Sequence, residues 1–179
     1  MMPDALRSWP VVFHGSRFDV RSGMHPGSNR PKDIVVHPGA VVILPLLDEQ
    51  TVVLIRNQRI AAGGELWELP AGTLEPGEAP QVCAGRELIE ETGYQAAAIE
   101  PLAKFYSSPG ICTELMWIYL ARGLQHVGQD LDEGERITPH PTPWKTTMQM
   151  MRTGQIQDGK TIATLLYYHA FHQRLTTNH

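Results

Sequence analysis

The stretch that most constrains this chain runs from Gly72 to Tyr94: Gly-Thr-Leu-Glu-Pro-Gly-Glu-Ala-Pro-Gln-Val-Cys-Ala-Gly-Arg-Glu-Leu-Ile-Glu-Glu-Thr-Gly-Tyr. As a pattern it is glycine, five residues, glutamate, seven residues, then Arg-Glu-apolar-x-Glu-Glu-x-Gly-apolar. Behind the Glu75-Pro76-Gly77-Glu78 turn, Ala79-Pro80 reads as a helix start, because proline in the first turn lacks only an N–H that has no intrahelical partner. The helix continues through Val82, Leu88 and Ile89 to Thr92, and Gly93 ends it as the residue past the last turn. On such a helix Glu87 lies beside Glu90 (i, i+3) and Glu91 (i, i+4). Like charges at these spacings cost a few tenths of a kcal/mol, roughly 0.2–0.5 per pair. A divalent cation reverses that sign, since hard Mg²⁺ or Mn²⁺ takes carboxylate and carbonyl oxygens. Arg86 can pair with a carboxylate such as Glu78 and orient it. A solvated acidic helix explains a lone Glu-Glu pair. It does not explain a match at seven single-residue and two apolar positions, which residue usage near 7% produces about once in a billion windows.

That segment resembles the Nudix box at every defining position. Leu66-Trp67-Glu68-Leu69-Pro70-Ala71-Gly72, just ahead of it, resembles the approach to the box in the ADP-ribose pyrophosphatase branch of the family. So does Ser108-Pro109-Gly110, with Pro109 fifteen residues past Tyr94. The resemblance extends from about Val35 to His172. It implies an α/β fold, the Nudix-type α/β/α sandwich with a small N-terminal β segment, divided into residues 1–33 and a hydrolase domain of residues 34–179. In that branch the N-terminal segment packs across a homodimer; from the residues alone, a hairpin this short must dock somewhere to be stable.

The activity implied is metal-dependent hydrolysis of a nucleoside diphosphate linked to another moiety, with ADP-ribose giving AMP and ribose 5-phosphate as the first expectation. Other nucleotide sugars, oxidised nucleotides, and a non-catalytic nucleotide-binding module on the same fold are the alternatives. The resemblance makes Glu87 and Glu91 the leading metal ligands and catalytic residues, Glu90 next, and adds the main-chain carbonyl of Ala71, with Mg²⁺ (or Mn²⁺) as cofactor. Gly72 suits a backbone that must approach the metal–phosphate cluster closely. Gly72, Glu78, Arg86 and Gly93 are supporting residues. The general base is expected on the late acidic loop Gln129 to Ile137, as Glu133 or Glu135. There the chain departs from the family: an acidic residue usually follows the apolar position, and here Ile137-Thr-Pro-His-Pro-Thr-Pro stands instead, with three prolines that stiffen or re-aim the loop. Arg56 and Arg59, the latter in Gln58-Arg59-Ile60, are candidates for the phosphates or base. The aromatic residue many relatives carry near Gln58 is absent. Glu68, Ser108 and Glu114 fall where the sugar side is lined, and Trp67 reads as core or interface.

Length and composition fit one compact domain. A chain of 179 residues buries about 70% of its unfolded surface. The net charge of −4 and pI near 6.0 argue against a nucleic-acid partner, which needs a basic face. Two cysteines, Cys83 and Cys112, make no disulfide framework; reduced thiols in a cytoplasmic protein are the simplest reading. No apolar run suggests a signal peptide or a membrane partner. The histidines lack metal-ligand spacing; His169 and His172 share a helix face without a third ligand and read as surface or interface.

Along the chain, Val11 to Val20 reads as a hairpin around Gly15-Ser16, and Ser22 to Lys32, rich in Gly, Pro, Ser and Asn, as a linker. Ile34 to Val36, Gly39 to Leu47, Thr51 to Arg56, Ala96 to Tyr106 and Leu115 to Ala121 are strand-like, and Leu66 to Leu69 is short and extended. Helices are expected over about Trp144 to Thr153 and Lys160 to His172.

Overall fold

The computed structural model describes residues 3–131 and 134–173. Its centre is β4 (Ala40–Asp48), whose first seven residues are all buried. The period-2 pleat sends successive side chains to opposite faces. Val41 and Ile43 join Cys83, Ala84, Leu88, Tyr119 and Ala121 in one core cluster. Val42, Leu44 and Leu46 join Leu54, Ile118, Leu120, Trp144, Ile156 and Leu165 in the other. A strand apolar on both faces is a strand covered on both faces, and this is what makes the molecule an α/β/α sandwich. The helix α2 (Pro80–Thr92) covers the first face. The helices α3 (Trp144–Arg152) and α4 (Gly159–Phe171) cover the second.

Around β4, the strands β5 (Thr51–Arg59), β8 (Tyr94–Tyr106), β9 (Leu115–His126) and β10 (Ile137–Pro143) form the order β10-β5-β4-β9-β8. The β4–β9 pairing is parallel, with Val41 opposite Trp117; the others are antiparallel. Two short strands complete the sheet: β6 (Gly64–Glu68) on β5 and β7 (Ala71–Thr73) on β4. Leu69 and Pro70 link them, so the segment that enters the Gly72 loop is paired on both sides of the link. β7 is three residues long, too short to carry a periodic signal of its own.

Two expectations change. Residues Ser22 to Lys32 are not a linker. β2 (Asp19–Met24) and β3 (Pro31–Val36) pair antiparallel from Asp19↔Val36 to Met24↔Pro31, and β1 (Val11–His14) pairs with β2. Only His25 to Arg30 turns, with Asn29 in the left-handed region at φ 49° and His25 N–H donating to Arg30 O at 2.9 Å. Turn-rich composition marked the corner, but ladder hydrogen bonds extended the strands into it. This three-stranded sheet docks on its own chain, where Val35 N–H donates to Ile111 O at 2.8 Å and Thr113 N–H donates to Val35 O at 2.9 Å.

The second change is Ile137 to Pro143, which is a strand and not a stiffened loop. Pro139, Pro141 and Pro143 share one parity, so their missing N–H groups all lie on one edge. β10 pairs with β5 alone, and the intervening residues supply that ladder. The prolines leave the outer edge without donors, which is where prolines are tolerated and where they block further strand pairing.

α2 begins with Pro80 at its first position and ends at Gly93, which is left-handed at φ 73° and donates to Ile89 O at 2.8 Å. A Cβ at Gly93 would stand 3.0 Å from the backbone of Gly128 and Gln129. Gly93→Ala is therefore expected to lower stability by about 1–3 kcal/mol in urea unfolding; an unchanged midpoint contradicts this account of the cap.

Candidate active site

Three acidic side chains, Glu78 from the turn before α2 and Glu87 and Glu90 on the helix itself, surround a single guanidinium. Arg86 Nε and Nη2 donate to the two oxygens of Glu78 at 3.0 and 3.1 Å. Its Nη1 donates to Glu87 Oε1 at 2.9 Å and to Glu90 Oε2 at 2.8 Å. The bond to Arg86 holds the Glu78 carboxyl down at about 2, against partial burial, with the Glu75 amide helping. Cys83, beneath this fork, is pushed up to about 12 by burial and by Glu78, so its thiol is inert.

Glu91 is different. It points into the protein, is only 4% exposed, and accepts from Ala71 N–H at 2.8 Å. Burial pushes its carboxyl up to about 8; the Ala71 amide opposes this, while the charges of Glu87 and Glu135 add to it. Glu87 is also raised, by burial first, then by Glu90 and Glu135, against Arg86. Gly72 explains the close fit, since a Cβ there would lie 1.8 Å from the Glu87 carboxyl carbon. Position 72 must carry no side chain for Glu87 to stand where it does.

One buried and one half-buried carboxylate held above their ordinary range, over a bare backbone, make a donor set that fits a hard divalent cation. Glu87 and Glu91 would hold it, with Glu90 alongside. Among the described residues no three His, Cys, Asp or Glu side chains already converge at metal-binding geometry; Arg86 draws Glu87 and Glu90 to itself.

The late loop reaches this site. Glu135 acts on Glu87 and Glu91 through its charge; Glu133 lies outside the described residues. Gln129, at the loop's start, donates from Nε2 to the Glu91 carbonyl at 2.7 Å, and Asp130 N–H donates to Glu90 O at 3.4 Å. The loop is thus tied to the last turn of α2.

The two candidate arginines are both held by carboxylates of β6. Arg56 pairs with Glu65 at 2.7 Å and lies over the Trp67 ring at 4.9 Å. Arg59 forks onto Glu68 from Nε and Nη2 at 2.8 and 2.7 Å. Glu68 is 1% exposed; burial raises its carboxyl, but the bonds from Arg59 and Lys160 outweigh that and hold it low. Arg59 is raised, chiefly by the Glu68 bond, with a smaller contribution from the charge of Glu91. Ser108 and Glu114 stand apart, in the turn between β8 and β9. Ser108 O accepts from Ile111 and Cys112 N–H, and Glu114 lies 3.5 Å from His37.

Sequence reasoning passed over Gln129, Asp158 and Lys160. Lys160 Nζ donates to Glu68 at 2.6 Å and also pairs with Asp158 at 3.0 Å. One signal was available. A lysine in the first turn of α4, behind the N-cap Asp158, opposes the helix dipole and is held there by something outside the helix.

A NUDIX domain model matches residues 36–165. The chain is 36% identical over 143 residues to a methanol dehydrogenase activator of Bacillus methanolicus, covering 79% of this chain and 77% of that one. It is 34% identical over 143 residues to an ADP-ribose pyrophosphatase of Bacillus subtilis (strain 168), again with 79% and 77% covered. A GDP-mannose pyrophosphatase of Escherichia coli (strain K12 / DH10B) is 36% identical over 143 residues, with 75% and 74% covered. A solved structure described as ADP compounds hydrolase superposes with a TM-score of 0.77 at 22% identity, over 92% of this chain and 91% of that one.

A carboxyl raised from 4.5 to about 8 keeps a proton in the folded state that the unfolded chain has released. Its stability contribution is present below about pH 4.5 and is lost as pH rises towards 8. The metal-free protein is therefore expected to show a urea midpoint that falls between pH 5 and 8 on the order of the ordinary carboxylate-to-Glu91 window, with Glu91→Gln flattening the fall. A wild-type midpoint that rises across that window contradicts the assignment.

Proposed function

The chain belongs to the Nudix family and is a pyrophosphohydrolase of it; on that footing we propose that it hydrolyses ADP-ribose to AMP and ribose 5-phosphate with Mg²⁺ or Mn²⁺. The coarser class is a nucleoside diphosphate linked to a second moiety. The observation that carries the reading is the half-buried Glu87 and the buried Glu91 over the bare Gly72 backbone, where a side chain would collide with Glu87. A divalent cation held there supplies charge neutralisation at phosphorus and lowers the pKa of bound water.

The chain's own residues do the rest. Arg86 pairs with Glu78, Glu87 and Glu90 and so keeps these carboxylates gathered at one end of the site, where a cation competes with it for Glu87 and Glu90. The Ala71 amide orients Glu91. Arg59, with 39% of its side chain exposed and one edge fixed by Glu68, offers its guanidinium to the diphosphate. Glu135 receives the proton of the attacking water as general base; its charge already acts on both Glu87 and Glu91. Placement and charge account for most catalysis of phosphoryl chemistry.

A second substrate has a specific observation behind it. Relatives named GDP-mannose pyrophosphatase match at 36% identity, beside the one named ADP-ribose pyrophosphatase at 34%, and no aromatic side chain stands next to Gln58 to favour adenine.

The functional test is turnover with Mg²⁺ of ADP-ribose, ADP-glucose, GDP-mannose, UDP-glucose, NADH, diadenosine polyphosphates and 8-oxo-dGTP. ADP-ribose is expected to lead by about tenfold or more in kcat/KM, a difference of about 1.4 kcal/mol in transition-state binding. Preference for GDP-mannose transfers the same chemistry to another leaving group. Among base candidates, Glu135→Gln is expected to lower kcat by about 10²-fold or more, with Glu133→Gln near wild type; the reverse order moves the base to Glu133.

A further inference from the structure

We propose that Lys160 is a positioning residue that acts on the substrate's diphosphate through Glu68 and Arg59. The proposal rests on Arg59 being the phosphate contact.

Three observations support it. Glu68 is a carboxylate with 1% exposure, and a charge so buried needs full pairing. Arg59 supplies only part of that pairing. Its Nε takes Glu68 Oε1, its Nη2 takes Oε2, and Nη1 remains outside the fork. Lys160 Nζ takes the same Oε2 at 2.6 Å. Glu68 is therefore clamped between a cation from β5 and a cation from α4.

The clamp's far end is rigid. Asp158 caps α4 by accepting from Thr161 N–H at 2.9 Å, and Lys160 lies 3.0 Å from the same carboxylate. Thr161 Oγ1 in turn accepts from Leu69 N–H at 2.8 Å. The start of α4 thus grips both the Glu68 side chain and the backbone of the next residue, two positions before Ala71.

The consequence concerns competition between anions. When a diphosphate arrives, Arg59 lies between it and Glu68. With Lys160 present, the carboxylate keeps a partner and stays in place while the guanidinium engages phosphate. Without Lys160, Glu68 has Arg59 alone among these cations, and the fork is held back from the substrate. Loss of uniform binding appears in KM more than in kcat.

The test is a double-mutant cycle between Lys160→Met and Arg59→Met, read as KM and kcat on whichever nucleotide the wild type turns over fastest. Lys160→Met is expected to raise KM about tenfold, with kcat moving less. Lys160→Arg is expected to recover most of the loss. Arg59→Met/Lys160→Met is expected to be no worse than Arg59→Met, because the lysine has nothing left to position. If Lys160→Met is not recovered folded, Lys160→Gln, which keeps a donor without the charge, takes its place in the cycle.

An unchanged KM in the lysine variant overturns the proposal, as do effects of the two substitutions that multiply, while the hydrolase reading stands. A wild type that turns over no nucleotide removes the hydrolase reading, and the relay falls with it.

Discussion

Burial of like charge is the constraint on which the rest of this structure depends. Glu87 and Glu91 stand one helical turn apart, Glu87 half-buried and Glu91 buried, both raised above the usual carboxylate range. Unpaired charge in such a place opposes folding. The protein manages it by three devices. Arg86 neutralises the outer members of the cluster, the Ala71 amide gives Glu91 one donor, and burial pushes the Glu91 carboxyl towards its protonated form. The residual deficit is what a dication satisfies. Site and instability are therefore the same feature, as expected where stability is given up for function.

The sandwich supplies the rigidity that this requires. β4, apolar on both faces, holds α2 on one side and α4 on the other. β7 lies on β4 with Gly72 opposite Val41, so the backbone beneath Glu87 belongs to the central sheet and not to a free loop. Behind it, α4 holds Glu68 and Leu69 through Lys160 and Thr161. The bare backbone and the arginine beside it are thus referenced to the two core layers. A displacement of about 1 Å in such a site costs roughly 10²-fold in rate, which is a sufficient reason for so many ties around five residues.

What could be read in the chain follows from how local each signal is. α2 was legible because Pro80 and Gly93 bracket it and its chemistry recurs at helical spacing. The buried run of β4 and the face of α4 were legible for the same reason. β10 was not, since Pro139, Pro141 and Pro143 read as loop until the partner strand shows that all three face the open edge. Residues 22–32 misled through composition, because only their middle turns. Glu68, expected on the sugar side, is a buried carboxylate whose pairing the sequence did not show. Its partners are Arg59, nine residues away, and Lys160, ninety-two away, and no periodicity links them. For the base the sequence left Glu133 and Glu135 as candidates; the charge of Glu135 reaches Glu87 and Glu91, and Glu133 lies outside the described residues.

The most direct test of the central claim is a crystal soaked with Mn²⁺ and ADP, with the metal located by its anomalous signal. The account expects Mn²⁺ between Glu87 and Glu91, with oxygens at about 2.0–2.3 Å and Glu90 adjacent. An anomalous peak elsewhere, with Glu91 still bonded to Ala71 and untouched by metal, would contradict it.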